Sequence, residues 1–390
     1  MQSKTIGLNT ICTHTGEVRD EQFKGAVSPI YMSTSYAFED VDVKRYPRYF
    51  NTPNQEALGK KIAALEHTEA GMIFTSGMAA ISHALMAFLK AGDHVVFQQT
   101  LYGGTYNFAT TQLERYGISY TFSDGWGAAD IAKAVKPNTK VVYIETPSNP
   151  LLTITDMRAV ANLAKSKGIV SMIDNTFASP VNQNPADYGI DIIIHSATKY
   201  MGGHSDICAG AVAASKEHMQ QIWHSSICFG GSLSDQTVWL LERSLKTMGL
   251  RVKAQNQNAQ GMAIFLQAHE AIDQVYYPGL PSHEDHHLAA SQMHGFGGML
   301  SFELTREIEP SDFMKQLQLI KPSMSLAGVE STMLLPVATS HSLMTPQDRA
   351  AQGIKDGLIR FSVGIEELDD LKADIAQALK AATQKSAMTI

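Results

Sequence analysis

Short apolar runs alternate with amphipathic segments between about residues 55 and 215. Most of the runs are of strand length, and several are followed by stretches with helical periodicity. Continuous apolar strands separated by amphipathic helices are typical of a mainly parallel sheet that helices cover on both faces. The pattern therefore predicts an α/β fold. The predicted strands are GMIF (71–74), HVVF (94–97), KVVYIE (140–145), VSMID (170–174), DIIIH (191–195) and CAGAVAAS (208–215).

The periodicity changes on both sides of this region. Residues 1–50 have weak periodicity and many Tyr, Ser, Thr and Pro residues, which indicates an extended arm. A long helical zone near 234–270 leads to two further strand-like runs, at 297–304 and 358–365, and to a helical segment at 367–382. We therefore expect an N-terminal arm (1–50), a large domain (51–247) and a smaller α+β C-terminal domain (248–390).

Composition narrows the possible partners and compartments. The chain has 390 residues, 44% of them hydrophobic, and a net charge of -7, so we expect a globular protein that binds neither nucleic acid nor an anionic membrane. Its three cysteines suggest no disulfide framework. The N-terminus lacks a signal-peptide core, and no apolar run reaches the ~20 residues of a membrane span. A cytoplasmic location is the expectation.

Two charged residues follow neighbouring predicted strands. Asp174 ends VSMID, and Lys199 lies in HSATKYMGGHSD (195–206), just after DIIIH. Ligands of open α/β sheets bind beyond the carboxyl ends of the strands. A lone aspartate there is more often a helix cap, but the nearby lysine favours a carboxylate that faces a protonated heteroaromatic nitrogen.

An anion site is predicted beside this pair. In FTSGMAA (74–80) a strand turns into a helix, so the N–H groups of Gly77 and Met78 would favour an anion. The hydroxyls of Ser196 and Thr198 precede the lysine. A phosphate site, an aspartate and a desolvated lysine together indicate pyridoxal phosphate (PLP), bound to the protein through the lysine amine.

Nine segments of the sequence resemble, in order and over nearly the whole chain, the trans-sulfuration (Cys/Met metabolism) family of PLP enzymes, and within it cystathionine γ-lyase and γ-synthase. They are YPRYFNTPN (46–54), SGM (76–78), LYGGT (101–105), ETPSNP (145–150), DNT (174–176), HSATKY (195–200), GGHSD (202–206), SLAGVES (325–331) and IRFSVGIE (359–366).

The resemblance implies PLP fold type I, with a mainly parallel seven-stranded sheet in the large domain and a smaller α+β domain. It also implies a homotetramer, a dimer of dimers with shared active sites. Catalysis would fall to Lys199, Tyr102 and Asp174: the lysine binds the cofactor and moves protons, the tyrosine stacks on the ring, and the aspartate faces the ring nitrogen. The residues implied in cofactor binding are Lys199, Asp174, Tyr102, Gly77, Met78, Ser196, Thr198 and Thr176, with Tyr46 and Arg48 from the neighbouring subunit.

For the substrate, the resemblance implies that Arg360 holds the α-carboxylate with Asn149 and Ser325, and that Tyr46 also binds the substrate. Asn107 stands where many cystathionine enzymes have an arginine, and Arg45 where they often have an acidic residue. We therefore hypothesise that Arg45, from the neighbouring subunit, binds a distal carboxylate of the substrate.

The family's reactions begin alike, and the sequence does not separate them. We expect a carbon–sulfur lyase that cleaves cystathionine-like amino acids by γ- (or β-) elimination to a thiol, a 2-oxo acid and ammonia. The alternatives are cystathionine γ-synthase, O-acylhomoserine sulfhydrylase and methionine γ-lyase. Gly104, where dedicated methionine γ-lyases resemble one another in having cysteine, disfavours methionine as the sole substrate.

Other interpretations have less support. A nicotinamide-dependent oxidoreductase is disfavoured because no G-x-G-x-x-G follows an early strand. A non-catalytic binding protein is disfavoured because Lys199, Asp174, Tyr102 and Arg360 are all present. SHEDHH (282–287) is more typical of a polar surface loop than of a metal cluster, so no metal is expected. Cys208 is expected to be a buried strand residue rather than a nucleophile.

Overall fold

The computed structural model of the chain describes residues 6–342 and 344–387. The strands are β1 Ala70–Phe74, β2 His94–Phe97, β3 Ser119–Phe122, β4 Thr139–Glu145, β5 Val170–Asp174, β6 Ile192–His195, β7 Gly210–Ala214, β8 Ile272–Tyr276, β9 Met299–Leu304, β10 Lys321–Pro322, β11 Thr332–Leu334 and β12 Ile359–Ser362. The α-helices are α1 Leu8–His14, α2 Pro53–Leu65, α3 Gly77–Phe88, α4 Gly103–Thr111, α5 Ala128–Ala134, α6 Met157–Lys167, α7 Ser179–Asn182, α8 Lys216–Phe229, α9 Asp235–Leu245, α10 Met248–Gln267, α11 His286–Gln292, α12 Pro310–Gln316, α13 Pro346–Ala351 and α14 Leu368–Ala387.

Seven strands form the large sheet, in the order β1-β7-β6-β5-β4-β2-β3. The pairs from β6 to β3 are parallel, and β7 runs antiparallel to both of its neighbours. The predicted α/β fold with a mainly parallel seven-stranded sheet is therefore confirmed. All residues of β6 are buried, with Ile193 in one apolar core and Ile192 and Ile194 in the other. This alternation follows from the two-residue period of a strand that is covered on both faces.

Two details of the large sheet differ from the prediction. The edge strand β3 was not among the predicted strands, because its half-exposed residues do not form a continuous apolar run. Strand β7 begins at Gly210, and Cys208 is exposed in the preceding loop rather than buried in the strand. Cys208 was expected to be a buried strand residue, and this expectation was wrong. The predicted strand began at residue 208, whereas the loop after Lys199 continues for two more residues before β7 begins.

A second sheet, in the order β10-β11-β12-β9-β8, forms the smaller α+β part. Its core contains Phe302 and Phe361 from the sheet together with Met262 of α10 and Ile375 of α14. Helix α10 begins at Met248, directly after the two residues that separate it from α9. Among the described helices none has the length and apolar content needed to cross a membrane.

The N-terminal segment is not extended throughout. Residues 8–14 form helix α1, and its Cys12 is fully buried in the core of the large sheet. The backbone carbonyl of Cys12 accepts a hydrogen bond from Lys61 Nζ at 2.7 Å. From residue 15 to 46 the segment contains neither helix nor strand. Large apolar side chains are exposed there, including Phe23 (79%), Phe38 (70%) and Met32 (66%).

Candidate active site

A cavity of about 400 Å³ opens at the carboxyl ends of β4, β5 and β6, where the loops of the large sheet meet the second sheet. Parallel strands bring their carboxyl ends to one edge, which is where open α/β sheets bind ligands. Lys199, Asp174, Tyr102 and Arg360 all line this cavity. The structure thus brings together these four residues, which the sequence analysis singled out.

Lys199 lies in the turn after β6, and its ammonium donates a hydrogen bond to Ser325 Oγ at 2.9 Å. Burial, followed by the positive charge of Arg360, lowers the pKa of this lysine to about 8. Removing an amine from water disfavours its charged form. A minor but larger than usual fraction of Lys199 is therefore neutral near pH 7, and a neutral amine can attack an aldehyde.

Asp174 ends β5 with a buried side chain, and its Oδ1 accepts the N–H of Thr176 at 3.0 Å. Burial raises the pKa of this carboxyl group above its ordinary value. A cationic ring nitrogen beside it would offset the cost of holding the carboxylate away from water. The side chain is therefore suited to keep a heteroaromatic nitrogen protonated.

Glu145 ends the neighbouring strand β4 and is the register partner of Asp174. Its Oε2 accepts the N–H of Tyr102 at 2.8 Å, and its Oε1 accepts the N–H of Asn149 at 3.0 Å. Burial, followed by the charge of Asp174, raises the pKa of Glu145 well above its ordinary value. The sequence analysis gave Glu145 no role, although the rule that indicated Asp174, an acidic residue at the end of a buried strand, also applies to it.

Helix α3 supplies a place for an anion. Ser76 caps the helix by accepting the N–H of Ala79 at 3.1 Å, and the N–H groups of the first turn, from Gly77 and Met78, have no intrahelical acceptor. A side chain at Gly77 would lie 2.8 Å from Ser196 Cβ, so the absence of one allows Ser196 to approach the helix N-terminus. The positive end of the helix and the Ser196 hydroxyl together suit a phosphate.

The two threonines predicted near the phosphate are engaged locally. Thr176 Oγ1 accepts the N–H of Ser196 at 2.8 Å. Thr198 Oγ1 donates to the carbonyl of Ala209 at 3.1 Å and accepts its N–H at 3.0 Å. Both threonines therefore hold the loops around the lysine in place, and both line the cavity.

Tyr102 precedes helix α4 and is 40% exposed towards the cavity. A side chain at Gly104 would come within 2.5 Å of the Tyr102 ring, so Gly104 leaves room for the ring to lie where it does. Burial, followed by the charge of Asp174, raises the pKa of the phenol. A neutral aromatic ring at this place can stack on a planar ligand.

Arg360 reaches the cavity from β12 of the second sheet. Its Nη1 donates to Asn149 Oδ1 at 3.0 Å, and its Nη2 donates to the Ser325 carbonyl at 3.1 Å. Burial lowers the pKa of Arg360 to about 10, so the guanidinium remains charged at neutral pH. Ser325 has φ +83, a left-handed conformation that is uncommon outside glycine, and in it the residue contacts both Lys199 and Arg360.

The arm residues lie outside the cavity of their own chain. The Arg48 guanidinium donates to the Ile227 carbonyl and lies over the rings of Tyr46 and Tyr49, with its Cζ 5.7 and 5.2 Å from their centroids. Arg45 donates to the Asn51 carbonyl and pairs with Glu56 at 2.9 Å. Asn107, on α4, is also absent from the cavity lining.

Other residues to which the sequence analysis gave no role in the site also line the cavity. Cys208, Met324, Thr339 and Ser340 are among them. The last two belong to the polar stretch TSHS (339–342), which follows an apolar run and was a detectable signal. The histidine-rich loop at 282–287 lies elsewhere, and its His286 Nδ1 is within 2.8 Å of the Pro278 carbonyl oxygen.

The chemistry of this cavity fits PLP. The cavity is large enough for a planar phosphorylated ring. It is surrounded by a partly neutral lysine, a buried carboxylate on the neighbouring strand, a tyrosine ring and a helix N-terminus that suits an anion. The seven-stranded, mainly parallel sheet and the smaller α+β part that contains the second sheet are those of PLP fold type I. A family model described as Cys/Met metabolism PLP-dependent enzyme matches residues 9–380. The chain belongs to this family, and it is a PLP-dependent enzyme of sulfur amino-acid metabolism.

Known relatives have related but different reactions. The chain is 45% identical to cystathionine γ-lyase of Bacillus subtilis over 375 residues, which are 95% of this chain and 98% of the relative. It is 44% identical to cystathionine β-lyase of the same organism over 361 residues, 91% and 92% of the two chains. The crystal structure of cystathionine γ-synthase from Xanthomonas oryzae pv. oryzae in complex with cystathionine has a TM-score of 0.93 and 38% identity, covering 97% of this chain and 99% of that chain. The resemblance inferred from the sequence is thus confirmed at the level of the family.

Proposed function

We propose that the enzyme is a carbon–sulfur lyase that cleaves cystathionine-like amino acids. The 45% and 44% identity to a cystathionine γ-lyase and a cystathionine β-lyase carries the choice of a lyase. The first step rests on the link between Lys199 and Arg360 through one residue, since Ser325 Oγ accepts from the lysine and the Ser325 carbonyl accepts from the arginine. An α-carboxylate held by Arg360 places the α-carbon of an amino acid next to the lysine amine. Its proton is the one that the family's reactions remove first.

The residues of the cavity would divide the work as follows. Gly77, Met78 and Ser196, with Thr176 and Thr198 behind them, would hold the phosphate of the cofactor. Asp174 would keep the ring nitrogen protonated, and Tyr102 would cover the face of the ring. Bound PLP withdraws electrons from the α-carbon and so makes its proton acidic.

Lys199 would take that proton and return it further along the substrate. Arg360 would hold the carboxylate through a bidentate pair of hydrogen bonds, with Asn149 and Ser325 as further partners. A lysine with a pKa of about 8 can both accept and donate a proton near neutral pH, which is what a residue that shuttles protons requires.

The alternative is a γ-replacement enzyme, cystathionine γ-synthase or O-acylhomoserine sulfhydrylase, or else a methionine γ-lyase. The machinery just described serves all of these reactions. The two relatives with the highest identities reported above are lyases, which favours elimination.

Incubation of the pure holoenzyme with cystathionine tests this proposal. With water as the second reactant, γ-elimination gives cysteine, 2-oxobutyrate and ammonia, and β-elimination gives homocysteine, pyruvate and ammonia. Replacement is tested with an O-acylhomoserine plus cysteine, and methionine is tested in parallel. We expect the enzyme to cleave cystathionine faster than it forms cystathionine from an O-acylhomoserine and cysteine, and we expect the Lys199→Ala variant to have no activity. An enzyme that consumes the O-acylhomoserine but does not cleave cystathionine would overturn the lyase assignment.

We further propose a homotetramer made of two dimers that share active sites, acting in the cytoplasm. The exposed apolar side chains of residues 15–46 support an arm that packs on another subunit. The location of Tyr46 and Arg48 outside their own chain's cavity supports their contribution to a neighbour's site, where they would reach the cofactor phosphate.

Mixing two inactive variants tests the shared site. In a hybrid of Lys199→Ala and Arg48→Ala subunits, one site would contain the native lysine of one chain and the native arginine of the other. We expect activity to reappear on mixing and the mass in solution to equal four chains. Active sites made within single subunits would give no recovery.

A further inference from the structure

Glu145 connects two parts of the cavity: the part that would hold the cofactor ring and the part that would hold the substrate carboxylate. Its carboxylate accepts the N–H of Tyr102 and the N–H of Asn149, and the side chain is only 4% exposed. We propose that Glu145 is a positioning residue that holds the ring-stacking tyrosine and the carboxylate-binding Asn149–Arg360 pair in one fixed geometry. This inference rests on the proposed function, because it assigns Glu145 to the same site.

The two amides that Glu145 binds come from irregular backbone. Tyr102 precedes the first turn of α4, and Asn149 lies in the loop after β4, so neither N–H has a partner from helix or sheet pairing. Buried N–H groups need an acceptor, and hydrogen bonds to a charged acceptor are stronger than neutral ones. Burial and the charge of Asp174 raise the pKa of Glu145, whereas the N–H groups of Tyr102 and Asn149, one on each oxygen, lower it and so favour the carboxylate form. Glu145 supplies the acceptor for both, which ties the conformations of the two segments to each other.

The backbone of Glu145 is itself fixed by Gln98, which is fully buried. Gln98 Oε1 accepts the N–H of Glu145 at 3.0 Å, and Gln98 Nε2 donates to the carbonyls of Glu145 at 2.7 Å and Thr100 at 2.8 Å. Gln98 therefore links the end of β4 to the segment that leads into Tyr102. Because Gln98 fixes the backbone of Glu145, the Glu145 side chain can hold the Tyr102 and Asn149 segments in a fixed position relative to each other.

Both segments that Glu145 holds, at Asn149 and at Tyr102, also contact residues that line the substrate side of the cavity. Asn149 Oδ1 accepts from Arg360, so a shift of the Asn149 backbone would move the partner of the guanidinium. Next to Tyr102, a side chain at Gly103 would lie 2.2 Å from the Ser340 carbonyl, so this backbone is packed directly against the loop that lines the cavity opposite. Displacement at Tyr102 would therefore disturb the cavity wall as well as the ring.

A carboxylate is required here because two donors converge on it. A glutamine has the same shape but one acceptor oxygen, and its NH₂ would face a backbone N–H. The Glu145→Gln variant thus leaves one of the two amides without a partner while it removes the repulsion between Glu145 and Asp174. Because an unpaired buried amide also lowers stability, the signature of a positioning role is a loss of function that an equally destabilising change outside the cavity does not cause.

Three measurements on the holoenzyme test the proposal: hydrogen–deuterium exchange at the Tyr102 and Asn149 amides, kcat and KM for cystathionine, and circular dichroism of the bound cofactor. In Glu145→Gln we expect at least one of the two amides to exchange roughly tenfold faster, since one charge-assisted hydrogen bond is lost. We expect kcat/KM to fall about tenfold or more, through KM if Asn149 is released and through kcat if Tyr102 is, with a changed cofactor dichroism.

Asp374→Asn is the matched control, because buried Asp374 likewise accepts backbone N–H groups, those of Gln318, Leu319 and Ile320, but is not among the residues that line the cavity. It is expected to lower the melting temperature without changing KM or the dichroism. Unchanged exchange at both amides in Glu145→Gln, or an equal loss of kcat/KM in Asp374→Asn, would overturn the proposal. If Glu145→Gln does not fold, Glu145→Asp, which keeps the charge but cannot reach both amides, is expected to show the same faster exchange. The exchange result is independent of which substrate the enzyme uses, so failure of the proposed reaction is recognised separately.

Discussion

Asp174 and Glu145 lie opposite each other at the carboxyl ends of two neighbouring parallel strands, and both carboxyl groups are buried. Burial raises the pKa of both groups, and the charge of Asp174 raises that of Glu145 further, because it disfavours a second negative charge nearby. They differ in their partners. Glu145 is occupied by two backbone amides, whereas Asp174 accepts from Thr176 and can also face a cation in the cavity.

The first prediction concerns that cation. Asp174→Asn would leave the ring nitrogen of the cofactor without its negative partner. Breaking a buried charge pair costs about 3–5 kcal/mol, so we expect kcat to fall about 100-fold or more, and PLP to dissociate faster. Steady-state kinetics and the rate of PLP release on dilution measure the two effects.

Asp191→Asn is the control for Asp174. Asp191 Oδ2 accepts the N–H of Ser171 at 2.9 Å near the opposite end of the same strand pair, away from the cavity. It is expected to retain kcat and PLP affinity while its stability decreases. A loss of less than tenfold in Asp174→Asn would mean that Asp174 does not face the ring nitrogen.

The second prediction is a pH dependence set by Lys199. A protonated amine cannot attack the aldehyde of PLP, and the pKa of this lysine is lowered to about 8 by burial and then by Arg360. The rate at which the apoenzyme recombines with PLP is therefore expected to rise with pH through about 8 and to level off above it. Stopped-flow absorbance of the cofactor follows this rate directly.

Arg360 provides the internal check on that pH dependence. Arg360→Gln removes a positive charge that disfavours the ammonium, so the inflection is expected to move to higher pH. Arg360→Lys keeps the charge and is expected to leave the inflection in place. An inflection that is the same in all three proteins would show that a group other than Lys199 controls recombination.

Parts of this site follow from local sequence and parts do not. Asp174, Lys199 and Gly77 could be predicted because each ends or follows a buried strand, and the carboxyl ends of parallel strands meet at one edge. The hydrogen bond from Arg360 to Asn149 joins a residue of β12 to one in the loop after β4, 211 positions apart, and only the family resemblance indicated it. The exposure of Cys208 and the helix at Leu8–His14 depend on loop length and on docking against the core, which periodicity does not encode.

The third prediction concerns acid stability and His94. This histidine is fully buried, with Nδ1 2.8 Å from Thr139 Oγ1 and Nε2 2.9 Å from Thr121 Oγ1. Burial, then Lys136, lowers its pKa from 6.5 to about 4. The unfolded chain thus binds a proton that the folded chain does not, and the free energy of unfolding decreases as pH falls from 6.5 towards 4, by up to about 1.4 kcal/mol per pH unit.

His94→Gln removes this contribution. We expect the variant to melt at a lower temperature near neutral pH, because it loses packing, but to show a shallower decrease in melting temperature between about pH 7 and 5. The slope is reduced rather than abolished, since buried His341 also has a pKa lowered to about 4. His287→Gln, at an exposed position on α11, should leave the slope as it is in the native protein. Equal slopes for His94→Gln and the native protein would refute the prediction.

The last prediction tests whether Arg45 recognises the distal end of the substrate. In the structure Arg45 pairs with Glu56, so a substrate carboxylate would have to compete with that side chain. If Arg45 has this role, Arg45→Ala lowers kcat/KM for cystathionine about tenfold while an amino acid with an uncharged thioether is little affected, since one charge-assisted contact is lost. Glu56→Gln gives the opposite test, because it frees Arg45 and should lower KM for cystathionine alone. If Arg45→Ala affects both substrates equally, or Glu56→Gln leaves KM unchanged, Arg45 only anchors the arm through Glu56 and the Asn51 carbonyl.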